Sequence, residues 1–486
     1  MMEVIVLSIY GIALIVIFTF SLVQLTLVKA YVENRNQSEN DHSGLDKSDW
    51  PIVTIQLPIF NEKYVVERLL DAVIEMNYPK DKLQIQVLDD STDDTVDITA
   101  IKVEEIKSQG FWIEHIHRID RKGYKAGALA DSMPQVKGEF IAIFDSDFLP
   151  ATDFLERTVP LFQDEKLGVV QTRWGHINED YSLLTKLQAF GLDAHFTIEQ
   201  VGRNTSKHFI NFNGTAGIWR KTCIEKAGGW HHDTLTEDLD LSYRAQMVGW
   251  NFKYLPNLIS PAELPVTMSA LKSQQFRWMK GGAENFKKNA LSVLKSDKPL
   301  FTRIHGLFHL FNSTVFIFIF LISILSVPIL FIKNQTAQYD QLFSIGSVFV
   351  LSFFILMIFY WQAYKGTKSE EERSIFHFVK TFVLFLSFSM GLSFHNSIAV
   401  MEGYLGKKSS FVRTPKFNIL TDKDSWKGNK YNMNSLNLVT AIEGLLTCYF
   451  LFAIGLGIYF GDYGMFPFHG LLLFGYFMVF KKSLIN

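Results

Sequence analysis

Apolar residues along this chain fall into three regimes. Residues 3–28 open on Glu3 and are otherwise interrupted only by Ser, Thr, Tyr, Gly and Gln24, a run long enough to cross a hydrocarbon core of about 30 Å. Between 30 and 303, short apolar bursts alternate with polar stretches and no long apolar run occurs. After Arg303 long windows return, at 306–332, 342–364, 438–460 and 465–480. Within the middle regime the bursts have strand and helix rhythms. Ile52–Leu57, Leu83–Leu88, Trp112–Ile116 and Phe140–Phe144 are predicted strands. Val65–Ile74, 95–108, Lys125–Met133 and Leu239–Ala245 are predicted helices. Asn77 and Pro79 end the first of these helices, and Gly123 precedes the third. Strand–helix alternation implies an open, largely parallel sheet, and ligands of such sheets sit at the carboxyl ends of the strands.

Charge placement orients the apolar segments. The loop 403–437 carries Lys407, Lys408, Arg413, Lys416, Lys423, Lys427 and Lys430 against Asp422 and Asp424, and the tail carries Lys481 and Lys482. The loops 333–341 and 461–464 hold one basic residue between them, Lys333. The stretch 375–401, which contains His377, Lys380, His395 and Asn396, decides the topology. If it crosses fully, both basic segments end outside; if it re-enters or lies at the interface, both stay inside, as basic loops do. The second arrangement gives five spans and a cytosolic polar domain. A cleaved signal peptide is the competing reading of the first run, but no basic segment precedes it. The expected organisation is an N-terminal transmembrane helix (1–29), an α/β cytosolic domain (30–260), interfacial helices (261–303) and a membrane region (304–486) containing the cytosolic loop.

Composition agrees. Hydrophobic residues make up 48% of the 486, and 44 are Phe, more than a soluble domain of average composition carries. A net charge of −2 supplies no basic field for nucleic acid. Cys223 and Cys448 support neither a disulfide framework nor a cysteine metal site.

Acidic clusters fall where the predicted strands end. Asp89 and Asp90 close one strand, and Asp145 and Asp147 another. Two carboxylates one residue apart on a turn suit a hard cation, Mg2+ or Mn2+, which keeps places for phosphate oxygens. Asp-rich turns also simply cap helices, but here two such clusters each follow an apolar strand. Arg121–Gly127 offers glycines for close backbone approach and lysines for phosphate, although basic loops are commonly solvated surface. Thr236–Glu237–Asp238 precedes a helix, where acids are common as caps. A sugar transfer with inversion needs one carboxylate as base, since a nucleotide diphosphate departs without protonation. Asp238 is that candidate, with Glu237 beside it. Gln274–Gln275–Phe276–Arg277–Trp278 pairs an Arg for diphosphate with a Trp for a sugar face, or forms an interfacial helix with a Trp anchor.

The ordered set Asp89, Asp145–Ser146–Asp147, Thr236–Glu237–Asp238 and Gln274–x–x–Arg277–Trp278 resembles the D, DxD, TED, QxxRW pattern of family 2 inverting glycosyltransferases of the cellulose synthase type. Val87–Asp93, Gly123–Leu129 and Phe212–Arg220 are similar to phrases of plant cellulose-synthase-like mannan and glucan synthases. The resemblance implies a GT-A (Rossmann-like) domain joined to an α-helical transmembrane region. It also implies roles. Asp89 or Asp90 would meet the nucleobase and ribose; Lys125 would meet the ribose and diphosphate, and Asp145 the ribose. Asp147 would hold the metal, and Gln274 would join Arg277 at the donor. Asp238 would be the base. The backbone of Phe212, Asn213, Gly214 and Thr215, with Trp278, would line the acceptor's place. Phe411–Val412–Arg413–Thr414–Pro415–Lys416 resembles the FxVTxK gating loop of processive synthases, so Phe411, Thr414 and Lys416 would close over the donor. Arg413 stands where that pattern has Val. The chain ends after its last span, so control through a C-terminal cyclic-dinucleotide domain is not expected.

The expected activity is transfer of a hexose from UDP-glucose or GDP-mannose to a growing β-glycan, with the spans forming a translocation path; positions such as Asn312 and Trp361 either line it or serve helix packing and interface anchoring. Transfer of one sugar to a membrane lipid is the alternative. A sugar-binding transporter or receptor would have no need of the acid clusters. Expected partners are the donor, a glycan or lipid acceptor and the bilayer, with an export partner left open.

Overall fold

The computed structural model describes residues 1–35, 50–421, 423–426 and 437–484. Asp422, Lys427 and Lys430 of the basic loop lie outside the described residues.

The polar domain is built on one seven-stranded sheet. Its strands are β1 (Val53–Ile59), β2 (Leu83–Asp89), β3 (Trp112–His117), β4 (Phe140–Ile143), β5 (Leu167–His176), β6 (Gly217–Arg220) and β7 (Asn251–Ala262), in the order β3-β2-β1-β4-β6-β5-β7. All neighbours pair parallel except β6, which is antiparallel to both β4 and β5. The reversed β6 brings its first residue, Gly217, to the edge where the other strands end, so the segment before it arrives there too. Pro58 is tolerated inside β1 because the β1–β4 ladder stops at Gln56↔Ile143, leaving no bond for its missing N–H to break.

Side-chain alternation divides the core. Phe140, Ala142 and Phe144 join one buried cluster with Val53, Ile55 and Leu57. Ile141 and Ile143 join another with Leu129, Trp219 and Leu241. The helices up to β7 are α1 (Met2–Asn34), α2 (Val66–Ile74), α3 (Thr95–Ser108), α4 (Tyr124–Ser132), α5 (Phe154–Thr158), α6 (Leu183–Ala194), α7 (Gln200–Thr205), α8 (Lys221–Lys226) and α9 (Glu237–Met247). Helices α6 and α7 are one continuous run joined by a π turn, His195–Glu199.

The segment after β7 is a single 28-residue helix, α10 (Met268–Lys295). It packs against α11 (Leu300–Phe311) and α16 (Ser393–Leu405). The remaining helices are α12 (Val315–Gln335), α13 (Asp340–Gly346), α14 (Leu351–Thr367), α15 (Ile375–Gly391), α17 (Leu438–Phe460) and α18 (Phe466–Leu484). Among the described residues, four stretches are long and apolar enough to cross a membrane: Met2–Asn34, Leu300–Gln335, Ala337–Thr367 and Leu438–Phe460. Helix α18 forms where another span is expected but is not among these four; His469, Lys481 and Lys482 make it less apolar. The ambiguous stretch 375–401 is broken, with α15 and α16 meeting at 48°. Trp361 packs on Tyr364 and Phe378, and Asn312 lies exposed in a short 3-10 turn.

Helices α15 and α18 touch backbone to backbone at Gly391 and Gly475. A Cβ on Gly475 would collide with the Ser387 carbonyl, and one on Gly391 with the Gly475 backbone. Small residues serve the same purpose wherever membrane helices approach closely. Gly475→Val should therefore lower the thermal midpoint of the detergent-solubilised protein, by an overpacking cost of about 1–3 kcal/mol. An unchanged midpoint would mean the two helices can separate freely.

Candidate active site

A cleft open to solvent lies along the carboxyl edge of the sheet. Strand β4 delivers Asp145 and Asp147 to it; α9 delivers Glu237 and Asp238; α10 delivers Gln274, Arg277 and Trp278. Spacings of three and four residues put the last three on one face of α10. Asn213 and Gly214 line it from the segment before β6, and Phe411, Arg413, Thr414 and Lys416 close it from the loop after α16.

Each acid is held by identifiable partners. The Asp145 N–H donates to Thr215 Oγ1 at 2.8 Å, and its carboxylate pairs with the Lys125 ammonium. Lys125 sits in the first turn of α4, after Gly123 with φ +74, and also donates to the Gly214 carbonyl at 2.9 Å. Burial opposes the charge on Lys125, but Asp145 and Glu237 outweigh it and raise its pKa. Asp147 is 6% exposed and accepts from Lys416 Nζ at 2.6 Å. Burial, then the neighbouring Glu237 charge, push the Asp238 carboxyl up to about 7. Burial raises Glu237 as well, against the pull of Lys125. A carboxylate poised near neutrality in a cleft shared with other acids has the proton affinity that general-base chemistry needs. Gly214, at φ +82, lies so close under Asp238 that a Cβ there would sit 3.0 Å from Oδ2.

Three expected residues do not reach the cleft. Asp89 is fully buried, accepting from the Ser91 N–H at 2.8 Å and facing His115 Nε2 at 2.9 Å. Successive residues at a strand end point to opposite faces, so Asp90 is the one on the cleft wall, clamped by Arg118 through two 2.7 Å bonds. Phe212 is buried edge-on against Trp219. Thr215 is buried and supports Asp145 from behind.

Other residues were not anticipated. Glu62 lines the cleft just beyond β1 and pairs with Arg413 at 2.7 Å. Burial, with Asp147 adding to it, pushes Glu62 up to about 8 against the pull of Arg413. Glu263 receives the Phe417 and Asn418 N–H groups at 2.9 and 3.0 Å. Trp174 and His176 arrive from the end of β5. Glu62 was findable as an acid at a strand's carboxyl end; Trp174 and His176 needed β5 to be recognised as a strand.

Asp145, Asp147, Glu62 and Glu263 line the cleft with oxygen donors, the chemistry a hard divalent ion takes, although no three of them bring those oxygens within 4.8 Å of one another. A second cluster among the described residues, His231, Asp233 and Asp240, is already neutralised. Lys288 reaches Asp233 and Asp240 at 2.7 and 3.0 Å, and Arg244 reaches Asp240 at 2.8 Å.

A family profile described as "Glycosyltransferase like family 2" matches residues 51–281. Glucomannan 4-beta-mannosyltransferase 9 of Arabidopsis thaliana is 36% identical over 403 residues, covering 80% of this chain and 72% of that protein. Glucomannan 4-beta-mannosyltransferase 1 of Oryza sativa subsp. japonica is 41% identical over 278 residues, or 56% of this chain and 53% of its own length, so this chain spans about half of that relative. A mannosyltransferase from Pyrobaculum calidifontis, solved with GDP-Man and Mn2+, superposes with a TM-score of 0.54 at 19% identity, covering 76% of this chain and 100% of that one. That likeness establishes the GT-A type of fold.

Proposed function

Since the chain belongs to glycosyltransferase family 2, alongside glucomannan 4-beta-mannosyltransferases of the cellulose-synthase-like type, we propose that it adds hexose units from a nucleotide sugar to a growing β-glycan with inversion. GDP-mannose is the favoured donor, because the relatives are named as mannosyltransferases; UDP-glucose is the other. The observation that carries the reading is Asp238, an acid of raised pKa in one cleft with Asp145, Asp147 and Arg277.

Asp238 takes the proton from the acceptor hydroxyl as that oxygen bonds to the anomeric carbon, on the face opposite the departing nucleoside diphosphate. The bond from the anomeric carbon to the diphosphate oxygen breaks with its electron pair leaving on the diphosphate. Arg277 faces that developing charge. Lys125 fixes Asp145 and the Gly214 carbonyl, and through them the floor beneath Asp238. Asp90 serves the nucleoside end, with Gln274 near the donor. Trp278 offers a flat surface to the acceptor sugar, and Asn213–Gly214 line its edge. A Mg2+ or Mn2+ ion held by Asp147, with Glu62 and Asp145 on the same cleft wall, would supply countercharge to the diphosphate.

In this reading the chain is a multi-pass membrane protein. The polar domain, α10 and the loop 403–437 are cytosolic, and the bent α15–α16 pair re-enters. Lys407, Lys408 and Lys423 then lie on the same side as Lys481 and Lys482, as the charge rule requires. Membranes containing the protein, given labelled GDP-mannose or UDP-glucose, should make a polymer that lengthens with time and is cut by an endo-β-mannanase or endo-β-glucanase according to donor. A product that stays a single-sugar lipid would replace this reading with glycolipid synthesis.

A further inference from the structure

The segment Phe411–Asn418 enters the cleft carrying two cations of its own. Arg413 meets Glu62 at 2.7 Å and Lys416 meets Asp147 at 2.6 Å. Lys416 also donates to the Glu263 carbonyl. All four paired side chains are about one-tenth exposed, at 10%, 11%, 9% and 9% for Arg413, Glu62, Lys416 and Asp147. Arg277 donates to Thr414 Oγ1 at 2.7 Å and lies 4.4 Å over the Phe411 ring. So the loop sets a cation against each of two cleft acids and occupies the guanidinium that faces the leaving group.

Buried carboxylates need a partner to stay charged. The loop brings Asp147 its partner, Lys416, while Arg413 offsets only part of the burial that holds the Glu62 carboxyl high. A divalent ion would bring the same two positive charges to the same wall. Lys416 on Asp147 therefore excludes metal from that oxygen, and the metal excludes Lys416.

We propose that Arg413 and Lys416 stand in for the divalent cation on Glu62 and Asp147 while the cleft is empty, and pass to the diphosphate when metal and donor enter. This rests on the cleft being a nucleotide-sugar site, and it gives Arg413, where the resembled loop pattern has Val, a place at the leaving group. In the exchange both loop cations pass from cleft acids to the diphosphate, and the divalent ion takes the place that Lys416 leaves on Asp147. Loop and metal compete without nucleotide and support one another with it.

The test uses the full chain in detergent. Mn2+ binding without nucleotide is followed by electron paramagnetic resonance of the free ion, and GDP or UDP binding is then measured at saturating Mn2+. In Arg413→Val and in Lys416→Ala, the nucleotide-free Mn2+ Kd should fall about tenfold while the nucleoside diphosphate Kd rises about tenfold, an ordinary size for coupled binding. Opposite signs are the signature, because damage to the fold weakens both. Unchanged constants, or both weakened in variants with a wild-type melting midpoint, would overturn the exchange. A wild-type chain that binds neither Mn2+ nor either diphosphate would instead remove the reading of the cleft itself.

Discussion

Replacing Asp238 with Asn should leave nucleotide binding intact and slow sugar transfer by about 10²-fold or more, the usual scale for loss of a general base. Asn is nearly isosteric, so the Leu239 N–H that now donates to Asp238 Oδ1 at 2.9 Å keeps an acceptor, and the start of α9 is preserved. Proton affinity is what disappears. The wild-type profile should carry the same information. Burial and the Glu237 charge push Asp238 up to about 7, so the carboxylate is protonated and idle below that pH and competent above it. Initial rates at low acceptor concentration should rise as pH increases through about 7, and the residual rate of Asp238→Asn should lack that limb. Wild-type turnover in the Asn variant would place the base elsewhere.

Asp147→Ala should weaken metal and donor binding together, by about 100-fold or more, since losing even an outer-sphere partner of a metal ligand costs 10–100-fold. Asp147 is the better buried of the two strand-edge acids, at 6% exposed, against 36% for the Asp145 side chain. The substitution also strands Lys416, which loses the carboxylate 2.6 Å away. A melting curve must therefore accompany the titrations, and Asp147→Asn is the gentler comparison. Calorimetric titration of Mn2+ and of GDP would sink the assignment if either constant were unaffected.

Much of this was legible in the chain because local rules and tertiary structure agree there. Strands β1 to β4 are short apolar runs ending on turn chemistry, and their observed limits depart from the expected ones by a residue or two. The sheet's far side was hidden. Strand β6 is four residues long, too short for periodicity to register. Strand β7 contains Pro256 and Pro261, which argue against a strand except at an edge, and β7 is the edge. The acid clusters could be placed at strand ends, but choosing Asp90 over Asp89 required knowing which way the last residue of β2 points. The loop at 411–418 was findable by likeness alone; its grip on Glu62, Asp147 and Glu263 joins residues about 150 to 350 positions apart, a separation that no window on the sequence can bridge.

The buried residues of α1, namely Ala13, Ser21, Gln24, Leu27 and Val28, form a single stripe. Gln24 donates to Glu199 at 2.8 Å. Glu199 faces His195 Nδ1 at 2.9 Å within the π turn, and His195 Nε2 lies 3.3 Å from Asn213 Oδ1 at the cleft. An apolar helix with no fixed polar contact is free to spin about its long axis in lipid; this one is keyed. The first helix thus acts as a strut rather than a leash, and the rotational setting of a rod in oil is transmitted, through four side chains, to the floor on which sugars are joined.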